Sequence, residues 1–542
     1  MNKFCFWNFS FQNGAGTILW SGNKGILSDC IFINNIAGSN SGAVSWIGDN
    51  GLITYSNFTK NTAGSIGGAI YGNGVNCIIN NCNFNDNIAN RGGGAVYWSG
   101  INCTISNCNF INNQAGGLGG AIYWGGVNGT LIKSNFIKNS AKQNGGSISW
   151  YGAKSTIINC SFTENTARWN GGALLIASGS LNDIMSDCNF TNNYANGNGD
   201  NVYWSWAVEE FLNKYGQIND YDYVMIKNGT GTPNSTIVLN KKGVTISGQD
   251  KNNVIFDANG RNLHFEVTGD NVLIEKITFR NFNFTGPGGA ILWNGTHGIL
   301  RNCNFINNIA QSGGGGVYWN GTSGNISTCT FNNNYANSGG GIRWENDNGI
   351  LIDSTFINNT GVNGGGLYWR GENNTLKNSI FINNNVNSSG GGVIWFGNNG
   401  YLTSSTFINN NAIYGSAVRW VGNKGILSDS TFTNNTATGG SIYWTGENGT
   451  IIQSIFSNNT ASYGGAICWN AASTMINCTF NSKFIDNNYN GIYTNKNLII
   501  NGGKGIVTIY NEGTLSGISI VVLNNETYYY PPNSNINLPN KN

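Results

Sequence analysis

Residues able to do chemistry are few in this chain, and their spacing limits what they could do. It contains 12 Cys and 2 His, and charged residues make up only 10%. Eight of the Cys recur two positions before a Phe, where Ser substitutes freely, as in Cys30, Ser56, Cys82, Cys108, Ser134, Cys160 and Cys188. That pattern reads as a small inward residue stacked on its counterparts. Cys77 with Cys82 and Cys103 with Cys108 repeat a spacing of five, which leaves a bridge between Cys82 and Cys108 geometrically open. There is no Cys-x-x-Cys pair and too little His for a zinc site, so neither a metal nor a cofactor is implied. Glycosidic cleavage needs two carboxylates converging on one bond. Asp29, Asp187, Asp353 and Asp429 occupy equivalent outward positions, but far apart in the sequence, and neither His264 nor His297 has a neighbouring acidic cluster. Outward aromatics are better placed: Tyr71, Tyr97 and Tyr123, then Tyr318, Tyr368 and Tyr443, recur at one position. Such a row suits sugar rings or protein anchors, and it equally suits stacking that merely stabilises a sheet.

The elements that must position these residues come from internal repetition. Phe32, Phe58, Phe84, Phe110, Phe136 and Phe162 are 26 residues apart, and Phe190 follows after 28. A second series runs from Phe279 to Phe480 at spacings of 24 to 26, and Trp keeps the same beat, from Trp98 to Trp150 and from Trp293 to Trp469. Each unit reads Gly-Gly-Ala-Ile-Tyr-Trp, a loop, then Leu-x-x-Cys/Ser-x-Phe-x-x-Asn, as in Gly119 to Asn139. Alternation places the Phe, the Cys or Ser, the apolar residue five before the Phe (Leu27, Ile53, Ile79) and the Ile of Ala-Ile inward. The Trp follows them inward by parity, with room for part of its ring at the surface. Asn recurs three residues after the Phe (Asn35, Asn61, Asn87, Asn113, Asn308) beside a variable polar residue. This predicts an inward amide that bonds up and down a stack.

Units of about 25 residues with short strands and no helical period are turns of a parallel β-solenoid. With 79 Gly, 12% aromatics and a net charge of +2, the composition fits an all-β repeat chain and excludes a disordered or nucleic-acid-binding one. Four regions follow: a first β-helix array over 1–206, a helical connector over 207–228, a second array over 229–510 and a C-terminal β segment over 511–542. The connector holds the one convincing helix, Ala207 to Gly216, with Val208, Phe211, Leu212 and Tyr215 on one stripe. Phe6 to Trp20 matches Phe279 to Trp293 position for position, while the second array has far more sequence before that point. The chain is therefore expected to begin inside a solenoid, as a fragment. No run approaches the ~18–20 apolar residues of a membrane helix, and no export signal is recognisable.

Gly-Gly-Ala-Ile followed by Phe-x-x-Asn resembles the repeats of the chlamydial polymorphic outer-membrane proteins. The Asn- and Trp-rich version is similar to adhesin-like surface proteins of methanogenic archaea, built of right-handed, pectin-lyase-like parallel β-helix repeats. The resemblance covers roughly 1–200 and 230–490. It implies right-handedness, an extracellular, cell-surface location and a non-catalytic adhesive role toward glycans or surface proteins; the outward column makes Tyr71, Tyr97, Tyr123, Tyr318 and Tyr368 the candidate contacts. It also makes an immunoglobulin-like module at the C-terminus a reading to set beside closing coils. Polysaccharide lyases and hydrolases share the fold, but Thr296-His-Gly298 departs from the Gly-His-Gly of polygalacturonase-like enzymes, whose paired-Asp and Arg-x-Lys motifs are also absent. A purely structural wall component is the third reading. Sequons such as Asn57-Phe-Thr and Asn128-Gly-Thr fit a secreted surface.

Overall fold

A computed structural model describes residues 1–12, 14, 16–177, 184–471, 473–481, 491–494, 498–511, 519–523, 526–530 and 534–538. The chain is a right-handed parallel β-solenoid. It divides into one unit of residues 1–228 with 241–247 and another of 229–240 with 248–542.

In the first unit each turn carries four short strands. Ile122–Trp124, Thr130–Ile132, Asn135–Ile137 and Ser140–Ala141 make up one turn. Each pairs in parallel with the equivalent strand 26 residues on, so Trp124 faces Trp150, Leu131 faces Ile157, Phe136 faces Phe162 and Ala141 faces Ala167. Because the period is constant, like stacks on like. Phe84, Phe110 and Phe136 lie ring over ring at 4.7 and 4.8 Å. In the second unit, Trp344, Trp369 and Trp395 lie at 5.0 and 4.8 Å. The repeat Trp rings from Trp46 onward are buried, Trp124 and Trp369 at 0% exposure, because each is covered by its neighbours and by the glycine loop that follows it.

The corners of the turn explain the Asn and Gly content. Asn128, Lys133, Lys138 and Gly145 all have φ between 50° and 65°. Asn tolerates this left-handed region better than most residues, and Gly adopts it freely. A Cβ on Gly119 would sit 2.0 Å from the Ile122 carbonyl oxygen, so no side chain fits at that corner.

The predicted amide ladder is present in both units. Asn113 Nδ2 donates to Asn139 Oδ1 at 3.0 Å and to the Phe84 carbonyl at 2.9 Å. Its Oδ1 accepts from both the backbone N–H and the Nδ2 of Asn87 at 3.0 Å. The same pattern runs from Asn308 to Asn459.

The connector helix is shorter than the sequence suggests. It spans Val208–Lys214, and a 3-10 turn, Tyr215–Gln217, replaces its expected last turn. It buries Val208, Glu210, Phe211 and Lys214, while Leu212 and Tyr215 are only half-buried. The expected apolar stripe is thus corrected: Glu210 turns back so that its carboxylate accepts the Ala207 N–H at 2.7 Å, which rotates the buried face.

Strands between 229 and 280 pair in register with the turns after them: Ile237 faces Phe265, which faces Ile291, and Phe256 faces Phe279. Toward the C-terminus parallel pairing continues from Ser473–Asn481 to Leu498–Asn511. It then gives way to antiparallel pairs, Leu498–Asn511 with Ser534–Leu538 and Ser519–Leu523 with Glu526–Tyr530. Parts of the segment read as closing coils or a further module (512–518, 524–525, 531–533 and 539–542) lie outside the described residues.

Candidate functional site

The carboxylates and imidazoles singled out in the sequence are not brought together. Asp29, Asp187, Asp353 and Asp429 each occupy a turn corner with φ of 50° to 54°. Their recurrence therefore reflects the tolerance of Asp for left-handed backbone rather than a shared site. His264 is buried, donates its Nδ1–H to the Gly288 carbonyl (3.1 Å) and stacks on Phe284 at 3.9 Å; burial lowers its pKa. His297 is itself a corner, φ 53°, and its Nδ1 lies 3.2 Å from the Thr296 hydroxyl. Among the described residues no cluster of three or more His, Cys, Asp or Glu could hold a metal ion.

The cysteines are all free thiols, and all but Cys5 and Cys188 are buried. The slot expected for them is the one they fill: the backbone N–H of one turn points at the sulfur or hydroxyl of the next, as from Cys108 to Ser134 Oγ at 3.2 Å. This is why Cys and Ser interchange. Cys82 hydrogen bonds with Cys108, which together with burial raises its pKa.

The tyrosine column is real, but its geometry differs from an open row of rings. Tyr71, Tyr97 and Tyr123 project from Ile70–Gly72, Val96–Trp98 and Ile122–Trp124. They stack at 5.8 and 4.5 Å, the latter with ring planes 4° apart, and Tyr151 covers Tyr123 at 5.4 Å. The faces of Tyr97 and Tyr123 are thus covered by other rings, and both residues are half-buried. Burial raises both phenol pKa values, so both hydroxyls are protonated near neutral pH and can donate. Tyr318 and Tyr368 behave differently. They sandwich the Arg343 guanidinium, 5.4 and 5.1 Å from the two ring centroids, and Glu345 bonds both Arg343 and the Tyr318 hydroxyl.

Beside Tyr97 and Tyr123 lies an open groove of about 350 Å³. Its origin is a gap in the stacked rows. The two residues after the Ala of each turn stack in register, Asn90 and Arg91 below Gly116 and Gly117, with Lys142 and Gln143 above. Gly116 and Gly117 have no side chains, and a Cβ on either would lie 2.1 or 2.2 Å from the carbonyl oxygen of Asn90 or Arg91. The space they vacate is walled by Tyr97, Tyr123, Ile66 and Leu118, and rimmed by Asn90, Arg91 and Gln143. Parallel bridges from Ile66 to Gly92 and from Gly92 to Leu118 fix that wall. Sequence reasoning found the two tyrosines and missed the rest. The signal was available: Ala115 is the one repeat Ala followed by two glycines.

Comparison with known proteins agrees with this architecture. The family model "Right handed beta helix region" matches residues 315–480. The "Chlamydia polymorphic membrane protein repeat" model matches 55–73, 107–123 and 159–177, and the middle match contains Gly116, Gly117, Leu118 and Tyr123. No curated protein gives a significant sequence match. Among solved structures, a PL6 alginate lyase in complex with a trisaccharide is 12% identical, with 60% of this chain and 88% of that chain covered and a TM-score of 0.29. A mannuronic-acid-specific polysaccharide family 6 lyase from human gut microbiota is also 12% identical, covering 55% and 86% at a TM-score of 0.31. ORF18 of Geobacillus virus E2 is 13% identical, covering 60% and 63% at 0.29.

Proposed function

We propose that this β-helix repeat protein is a non-catalytic, surface-exposed adhesin-like protein that binds glycans in the groove beside Tyr97 and Tyr123. The observation that carries this reading is the groove itself, a concave site with apolar walls and convergent donors. The Tyr97 and Tyr123 hydroxyls, Arg91, Asn90 and Gln143 match the hydroxyl and ring-oxygen acceptors of a sugar. None of the residues lining the groove is a carboxylate or an imidazole, so the pair that hydrolysis requires is not supplied there. A surface location is supported by the matched polymorphic membrane protein repeats, which are surface-associated. No described helix is long and apolar enough to cross a membrane. On this reading Tyr71 extends the column, while Tyr318 and Tyr368 clamp Arg343 in the second unit, a cluster that could meet a protein partner.

A second reading, that the column only holds the turns together, draws on the covered ring faces at 4.5 Å between Tyr97 and Tyr123. One experiment separates the two. Purified protein is passed over immobilised acidic and neutral polysaccharides, and retention is scored together with new reducing or unsaturated ends. Retention without cleavage, lost in Tyr97→Ala and Tyr123→Ala, is the expected result. Cleavage of any glycan overturns the non-catalytic reading, and failure to retain any glycan leaves the structural one.

A further inference from the structure

The rows that form the groove also carry an unbalanced charge. Asn90, Gly116, Lys142, Arg168 and Asn196 follow one another in one row, since each donates its N–H to the carbonyl of the Ala that begins the same loop one turn back. In the row beside it Gly117 lies against the Arg91 carbonyl, and the backbone N–H groups of Gln143 and Trp169 donate to the carbonyls of Gly117 and Gln143. Arg91, Lys142 and Arg168 are exposed, and among the described residues none has an ion-pair partner. From Ser39 to Gly197 these rows contain no Asp or Glu. In the second unit the corresponding positions, among them Gln311, Asn337, Val362 and Thr438, carry no charge at all. A chain with 27 basic and 25 acidic residues has thus placed one unopposed cation, Arg91, on the groove and two more, Lys142 and Arg168, in these rows beyond it.

An apolar surface accompanies them. Trp169 is 50% exposed, and its backbone N–H donates to the Gln143 carbonyl at 2.8 Å, which seats it one turn beyond the groove rim. A pyranose ring can lie against such an indole.

We propose that the groove takes a carboxylate- or sulfate-bearing polysaccharide that runs parallel to the stack of turns. This rests on the glycan-binding reading and names its substrate class. Turns stack at roughly 4.7–4.9 Å, close to the advance of one pyranose in an extended chain, so successive acidic sugars pass successive turns. Arg91 would engage one acidic group beside the Tyr97 and Tyr123 hydroxyls. Lys142 and Arg168 would meet further groups two and three turns on, about 14 Å away at the far end. Trp169 would cover the ring between them. Gly116 and Gly117 leave the chain room to descend between Arg91 and Gln143.

The test is binding of full-length protein to polygalacturonate and to the same polymer methyl-esterified, which keeps the backbone and removes the charge. Retention of the acid form, at least tenfold weaker for the ester and weakened further by salt, is expected. Arg168→Ala and Lys142→Ala, both at exposed positions where the fold is undisturbed, should each weaken binding by about 1.5- to fivefold, as loss of an exposed ion pair does. Lys377→Ala, an exposed cation in the second unit, should leave it unchanged. Equal binding of acid and ester, lost in Tyr97→Ala, overturns the charge requirement and leaves the groove standing. Binding of neither polymer nor of any neutral glycan overturns both readings. Tighter binding of duplex DNA or anionic vesicles than of polygalacturonate overturns the polysaccharide class.

Discussion

Replacing Asn113 by Ala removes one rung of the buried amide ladder, and the structure shows what would follow. The Asn113 side chain makes four hydrogen bonds: two donated, to Phe84 and Asn139, and two accepted, from Asn87 N–H and Asn87 Nδ2. Each contributes about 0.5–1.5 kcal/mol net, and Asn87 is left with unsatisfied donors at a site with no solvent exposure. The expected cost is about 3–6 kcal/mol. Because a solenoid is held together by nearest-neighbour contacts, the loss should stay local. Hydrogen exchange followed on peptides containing Asn87 reads it directly, since that amide proton loses its acceptor; 3 kcal/mol is over a hundredfold in exchange rate. Asn113→Asp sharpens the test. The carboxylate keeps both acceptor roles but loses both donors, and it sits against the Phe84 carbonyl and Asn139 Oδ1. Its folded pKa must therefore rise above the ordinary ~3.9. Stability is then best preserved below about pH 4 and falls as pH rises through that raised value. Less than a tenfold change at Asn87 in the Ala variant, or an Asp variant whose stability ignores pH, would refute the ladder as a source of stability.

Burial pushes the Asp222 pKa up to about 7, against the bonds it accepts from Asn219 N–H, Trp204 Nε1 and Val202 N–H. The folded protein therefore holds its proton more tightly than the unfolded chain, and the first unit should lose stability as pH rises from about 4 to 7 and level off above; thermal melts across that range test this, and a flat profile refutes it. Trp369→Ala empties a fully buried site between Trp344 and Trp395 and should cost about 3–5 kcal/mol, measured by urea unfolding. Cys82→Ser should cost less than about 1.5 kcal/mol, because serine already fills that slot at Ser56 and Ser134; a larger loss in the same assay would show that the sulfur is needed.

Much of the architecture was legible in the sequence because the repeat period makes chemistry self-reporting. A Phe, a Cys or Ser and an Asn at fixed offsets recur only if they stack on their own kind, and Phe110 over Phe136 or Asn113 over Asn139 is the outcome. The reading was weakest for residues whose recurrence had a backbone cause. Asp29 and Asp353 are exposed as read, but they recur because they are corners chosen for positive φ, a cause that periodicity does not reveal.

The candidate site divides along the same line. Sequence alone put Tyr97 and Tyr123 one turn apart on the same face, and it carried the paired glycines at 116 and 117 and the cations at 91, 142 and 168. Only the folded chain decided that the rings would cover one another at 4.5 Å, and that Arg91 and Gln143 would stand on either side of an empty pair of positions to leave a groove. The physical reason is that a period fixes which residues are neighbours across turns. The direction in which each side chain leaves the turn, and the space left where there is none, depend on corner dihedrals and packing that become defined only when the turns are stacked.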